Sequence, residues 1–167
     1  MIQAGVAGYG TAMTMMTQLA RGAVAGAAGT TALNAVTFLD MAVRGRPAST
    51  TPEQTVDRGL ALVGATLPGD EQQRGARRSG LGSLLGSVAG VSAGVVIAAV
   101  RGSMSPSGKA GTFGTALTVA MLAGNGPMTI LGVTSPAQWT ARDWAADVVP
   151  HLAYALAATC ALELSRR

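Results

Sequence analysis

Three ionisable side chains recur at intervals of four residues near the C-terminal end of the chain. They are Asp143, Asp147 and His151, and Tyr154 follows one helical turn later. Residues spaced by four share one face of an α-helix, and ionisable groups inside an apolar helix are costly and often mark ion pathways or ligand sites. Asp147 and His151 are therefore the centre of a candidate proton-relay or ligand-binding site. The alternative is structural, with Asp147 pairing with His151 and Asp143 capping the helix after Thr140.

Further polar side chains interrupt the other apolar stretches of the chain. Asn34 and Asp40 lie in the first stretch, and Asn125 lies just past the middle of the third. If each stretch spans a membrane, Asp40 and Asn125 occupy the same leaflet as His151 and can converge with it. The structural alternative pairs Asp40 with Arg44, one turn further on. The predicted intramembrane polar cluster comprises Asn34, Asp40, Asn125, Asp147, His151 and Tyr154.

The scarcity of cysteine and histidine excludes several kinds of site. Cys160 is the only cysteine and His151 the only histidine. One thiol cannot form an intrachain disulfide or a cysteine zinc site, and one imidazole cannot make a multi-histidine metal site. No serine-protease elbow or HExxH zinc motif is present. We therefore predict no catalytic residues, metal or cofactor, and no enzymatic activity.

The overall composition is that of a membrane protein. The 167 residues are 49% hydrophobic but only 12% charged, with a mean hydropathy of +0.36. Soluble domains carry about 25% charged residues, so this chain lacks the groups that wet a soluble surface. Aromatic residues make up 4% of the chain, too few for base stacking. The net charge of +4 comes from basic residues scattered beside apolar stretches, which favours a multi-pass protein of the cell membrane over nucleic-acid binding.

The apolar stretches predict an all-α fold. A spanning helix needs about 20 mostly apolar residues. Four segments meet this length and predict an integral membrane four-helix bundle, namely residues 22–43, 80–100, 110–133 and 144–164. Within the third, the Gly124–Pro127 run predicts a break in the helix. A broken helix can line a cavity, but it is more often a kink between packed neighbours.

The N-terminal segment, residues 1–21, is treated separately from a single membrane domain over residues 22–167. It is apolar but lacks the basic residues that begin a signal peptide. Met13, Met15 and Met16 follow within it, which raises the hypothesis that translation starts at one of them.

A short amphipathic helix over about residues 52–63 is predicted in the long connection, residues 44–79. Thr51 is the expected N-cap, and Pro52 the first helical residue. One face carries Val56, Leu60 and Val63. We expect this helix to lie at the membrane surface between the first two spans. The alternative is a docking surface for a partner.

Glycines recur every four residues in the second predicted span. This spacing leaves one helix face without side chains, so another helix can approach its backbone. A similar pair occurs in the first span, and the helix-packing set is Gly82, Gly86, Gly90, Gly94, Gly22 and Gly26. The packing partner is another helix of the same bundle or, alternatively, a second copy of the chain or a larger membrane complex.

Four sequence runs resemble a group of small multi-pass membrane proteins common in actinobacteria. They are TALNAVTFLDMAVRGRPASTTPEQTVDR (31–58), RRSGLGSLLG (77–86), NGPMTILGV (125–133) and WTARDWAADVVPHLAY (139–154). The resemblance implies the four-span arrangement and draws attention to Asp40, Asp147 and His151. It implies no particular activity.

Two functions follow as expectations. The first is a structural or accessory protein that packs through its glycine-rich helix faces, with itself or with a larger membrane complex, in the lipid bilayer. The alternative is a small oligomeric transporter or proton-conducting element that uses the polar cluster.

Overall fold

The chain folds into α-helices joined by short connections, as seen in a computed structural model. The backbone is described for residues 2–103 and 108–165, and side chains for residues 14–101 and 108–165. No strand occurs within these ranges. A single 3₁₀ turn, Pro136–Gln138, precedes the last helix. The helices are α1 (Ile2–Arg44), α2 (Thr51–Leu62), α3 (Glu71–Ser103), α4 (Gly108–Ile130) and α5 (Ala141–Leu164).

The four long helices surround a core of small side chains. Helix α1 packs against α3 and α5, helix α4 packs against the same two helices, and the short α2 lies against α3. Because most core side chains are alanines, the helix axes can approach closely. The core consists of Ala25, Ala93, Ile97, Ala98, Ala116, Ala120, Tyr154, Ala155, Ala158 and Leu162.

Most apolar side chains outside this core face outward. Three helical segments are long and apolar enough to cross a membrane: Thr14–Arg44, Glu71–Arg101 and Ala141–Leu164. Only 22%, 22% and 39% of their most apolar 18-residue windows are buried inside the protein. A water-soluble protein rarely exposes so much contiguous apolar surface. These helices therefore support a membrane protein.

The third predicted span differs from the other three. Helix α4 occupies most of the predicted segment 110–133 but is not among the candidate spans. Its glycines and threonines, together with Asn125 and Pro127, keep its mean hydropathy below that of the three candidate spans. The predicted break at Gly124–Pro127 is wrong, because α4 continues through Pro127 to Ile130.

Helix α2 begins one residue earlier than predicted. Its N-cap is Thr50, and the Gln54 side-chain amide donates a hydrogen bond to the Thr50 hydroxyl at 3.0 Å. Val56 is buried as expected, whereas Val63 is 75% exposed and follows the end of the helix. The apolar face of α2 is thus shorter than the sequence pattern indicates.

Polar contacts fasten α2 to the start of α3. The Arg78 guanidinium donates to the Asp57 carboxylate at 3.0 Å. The Ser79 hydroxyl donates to the Glu53 carboxylate. These bonds hold the N-terminal half of α2 beside the end of the bundle that the long connection faces.

Candidate functional site

Helices α1 and α3 meet at four of the predicted packing glycines. A Cβ atom added at Gly26 would lie 2.7 Å from the carbonyl oxygens of Gly90 and Val91. A Cβ at Gly22 would lie 2.8 Å from the Gly94 oxygen, and one at Gly94 would overlap the backbone of α1. These four glycines are therefore used within the chain, between two of its own helices.

The other two predicted glycines have different surroundings. A Cβ at Gly82 would lie 2.9 Å from the Pro52 side chain, so this glycine lets α2 approach α3. A Cβ at Gly86 would meet nothing within 4 Å. Gly86 therefore leaves a space that no other part of the described structure fills.

Tyr154 ties α5 to α1 and α3 at the middle of the bundle. Its side chain is almost fully buried, and its hydroxyl donates a hydrogen bond to the Gly90 carbonyl oxygen at 2.6 Å. The ring packs on Gly29, where an added Cβ would lie 2.7 Å from it. The sequence analysis missed Gly29, and its only signal was its position three residues after Gly26.

Asp147 and His151 interact with each other on α5, and Asn125 of α4 contacts Asp147. The Asn125 amide donates a hydrogen bond to Asp147 Oδ2 at 2.8 Å. The imidazole Nδ1 of His151 lies 2.7 Å from the main-chain oxygen of Asp147 and 3.6 Å from its Oδ1. Since the main-chain oxygen only accepts, Nδ1 donates this hydrogen bond.

Gly124 of α4 makes room for this imidazole. A Cβ at Gly124 would lie 3.2 Å from His151 Nε2, closer than most side chains tolerate. The glycine that suggested a helix break thus serves a packing purpose inside an intact helix.

Asp40 does not join this group. Its carboxylate accepts a hydrogen bond from Arg44 at 3.0 Å and another from Arg46. This is the predicted Asp40–Arg44 pair, extended by an arginine beyond the end of α1. These two hydrogen bonds hold the Asp40 side chain at the C-terminal end of α1.

A crevice of about 500 Å³, with polar groups on a mainly apolar wall, lies between the long helices, beneath the N-terminus of α2. We call it the crevice. His151 and Tyr154 border its inner part, while Glu53 and Ser79 border its mouth beside the long connection. No lysine or arginine lines it within the described ranges. Its other polar lining groups are Thr30, Asn34, Thr37, Ser49, Ser83 and Ser87.

The opposite end of the bundle is closed. Arg101 of α3 donates to the Glu163 carboxylate of α5 at 2.7 Å. Between this ion pair and Tyr154 the core is mainly alanine, and the buried polar side chains described there are Thr112 and Thr159. The crevice therefore does not extend to this end of the bundle.

No family model, curated protein or solved structure matches the chain. The resemblance to small actinobacterial membrane proteins consequently stays a prediction. In the part of the chain that the structure describes, no three histidine, cysteine or acidic side chains lie close enough to hold a metal ion. The character of the site thus comes from its hydroxyl, amide and imidazole groups.

Proposed function

We propose that this protein is a four-span protein of the cell membrane that binds a small polar or amphipathic molecule in the crevice. The observation that carries the proposal is a pocket of binding-site size among outward-apolar helices, with several polar groups on a mainly apolar wall. Ligand sites typically enclose about 300–1,000 Å³ with a few polar groups on a mainly apolar wall. No bond-making group is assigned, so the proposed role is binding.

The length and position of α4 support its role as a membrane span in addition to the three candidate spans. At 1.5 Å per residue, its 23 residues extend about 34 Å, which exceeds the roughly 30 Å of a bilayer core. It packs alongside α3 and α5, which are both candidate spans.

Two observations weigh against the conducting role. His151 is 9% exposed and Tyr154 is 1% exposed, so both face the interior of their own chain and offer little to a path between copies. Along the chain's own axis, a core of mainly alanine, with the two hydroxyls of Thr112 and Thr159, separates the crevice from the Arg101–Glu163 pair. A proton path needs a continuous series of exchangeable groups or waters, which this packing interrupts.

The accessory role is less well supported than the binding role. It was inferred from glycine faces that could receive a helix of another protein. Gly22, Gly26, Gly90 and Gly94 already receive helices of this chain. The remaining outward surface is apolar and suited to lipid.

Cysteine labelling tests whether water enters the crevice. Ser83 lines the crevice, while its neighbour Leu84 is 59% exposed on the outside of α3. In a Cys160→Ser background, we expect a water-soluble maleimide to label Ser83→Cys in proteoliposomes much faster than Leu84→Cys. Equal protection of both thiols from the reagent would contradict an open crevice.

Native mass spectrometry then tests binding. The full chain, extracted in mild detergent from its own membrane, is expected to retain a bound small molecule. Ser83→Phe should remove that molecule because the ring enters the crevice, whereas Leu84→Phe should retain it. Retention in both variants, or an empty wild-type protein, would refute binding in the crevice.

A further inference from the structure

A second cavity lies next to the crevice, on the outer face of the bundle. This groove has a volume of about 270 Å³ and runs between α3 and α4, beneath the start of α2. Its outer wall includes Leu85, Val88, Pro127 and Met128. Leu85 and Val88 are about half exposed on the apolar outside of α3. The groove therefore faces the acyl chains of the leaflet on the long-connection side.

The groove and the crevice share a wall of small residues. Gly82, Gly86 and Ala89 of α3 border both cavities, as do Ala123 and Gly124 of α4. None of these residues has a side chain larger than a methyl group. The space at Gly86 is unfilled, since a Cβ there would meet nothing within 4 Å. The two cavities are therefore adjacent, and these small residues mark where a lateral opening between the groove and the crevice would lie.

An amphipathic molecule matches this pair of cavities. An acyl chain in the groove would contact Leu85 and Met128, with its headgroup passing Gly86 into the crevice. A wholly polar solute would not occupy the apolar groove, and a plain hydrocarbon would leave the polar groups of the crevice without partners. The position of the groove beside the crevice therefore favours a lipid that enters from the bilayer between α3 and α4.

The lining of the crevice restricts the headgroup chemistry. Buried phosphates are held by arginine, lysine or several backbone N–H groups, because an unpaired buried charge is very costly. The described lining contains no cation of that kind, and Glu53 at the mouth repels anions. The serine, threonine and asparagine side chains of the lining, together with the His151 ring, suit a headgroup that carries hydroxyls.

We propose that the crevice and the groove together bind a neutral glycerolipid whose headgroup carries free hydroxyls. The proposal rests on the binding role given above and specifies its ligand. The hydroxyls come either from glycerol, as in diacylglycerol, or from a sugar, as in a monoglycosyl diacylglycerol. A lipid with the same acyl chains and a phosphate headgroup binds more weakly than the neutral lipid.

The test is lipid titration of the delipidated full chain in detergent, read by native mass spectrometry. The probes are dioleoylglycerol, monoglucosyl dioleoylglycerol and dioleoyl phosphatidate. We expect one neutral lipid per chain, bound at least tenfold more tightly than phosphatidate. The tighter of the two neutral probes identifies the source of the hydroxyls. Equal or tighter binding of phosphatidate would overturn the proposal.

A matched pair of glycine variants tests the lateral opening. Gly86→Leu places a side chain in the open space between the two cavities, and we expect at least a tenfold loss of neutral-lipid binding. Gly114→Leu introduces the same side chain on the exposed surface of α4, where an added Cβ also meets nothing within 4 Å. Its binding should equal that of the wild type. Unchanged binding by a folded Gly86→Leu protein would contradict entry at this position.

Photocrosslinking of the wild-type protein provides a second measurement that needs no variant. A diacylglycerol with a diazirine in mid-chain should label peptides containing Leu85 or Met128. Labelling confined to α1 and α5 would refute the proposal that the acyl chain lies in the groove. If Ser83→Cys reacts with maleimide but neutral lipids show no preference over phosphatidate, the lipid proposal fails and the open crevice remains. If Ser83→Cys is protected, the proposed function itself fails.

Discussion

Replacing Gly26 with alanine tests the close contact between α1 and α3. The added methyl carbon would lie 2.7 Å from two carbonyl oxygens of α3, about 0.7 Å short of the 3.4 Å at which ordinary contact begins. Both atoms belong to the backbone, so no side chain can rotate away. The helices must separate, and the neighbouring core contacts loosen with them.

Two opposing effects set the magnitude. Alanine favours a helix over glycine by about 1 kcal/mol. Overpacking a well-packed contact costs typically about 1–3 kcal/mol, and backbone atoms place this site at the upper end. We expect Gly26→Ala to lower the free energy of unfolding by about 2 kcal/mol after the propensity gain is counted. Gly114→Ala gains the same propensity without a clash and should be neutral or slightly stabilising.

The assay is thermal unfolding in mild detergent, followed by size-exclusion chromatography of a fluorescent fusion. For a chain of this size, a loss of about 2 kcal/mol corresponds to a fall of about 4–8 °C in the midpoint. Gly114→Ala is the control for the general effect of removing a glycine. Equal midpoints for the two variants would show that α1 and α3 do not touch at Gly26.

Three further predictions concern polar contacts in the bundle, each read by the same thermal assay. Arg101→Met and Glu163→Gln should each cost about 1–2 kcal/mol. The double variant should cost less than the two losses combined, and strict additivity would exclude the ion pair. Tyr154→Phe should cost about 1 kcal/mol, because the Gly90 carbonyl of α3 loses the hydrogen bond from the Tyr154 hydroxyl. Asn125→Asp places a second carboxylate beside Asp147, so this variant should be less stable than the wild type at pH 7 and recover as the pH falls, since protonating either carboxyl removes the repulsion. A pH-independent loss would contradict the contact between residues 125 and 147.

Local patterns in the sequence predicted several contacts correctly. The pairs Asp40–Arg44 and Asp147–His151 lie one turn apart on single helices, so their proximity follows from helical geometry alone. The capping of α5 is equally local: Asp143 N donates to the Thr140 hydroxyl, and Thr140 N donates to the Asp143 carboxylate. These features need no knowledge of neighbouring helices.

Contacts between helices were predictable only in part. Shared topology placed Asn125 and Asp147 in one leaflet, and the structure brings them within hydrogen-bond distance. The same reasoning placed Asp40 with them, but Asp40 is held by Arg44 and by Arg46 of the following loop. Depth along a helix follows from counting residues, whereas the direction a residue faces depends on how each helix is rotated against its neighbours.

The sequence by itself determined the helical class, the apolar outward surface and the residues able to pack closely, because hydropathy and small size are properties of single residues. The tertiary structure decided which helix each glycine meets, and it left Gly86 facing an open space. It also placed the alanine core at one end of the bundle and the crevice at the other. Cavities form where packed surfaces fail to fill the space between them, and that depends on several helices at once.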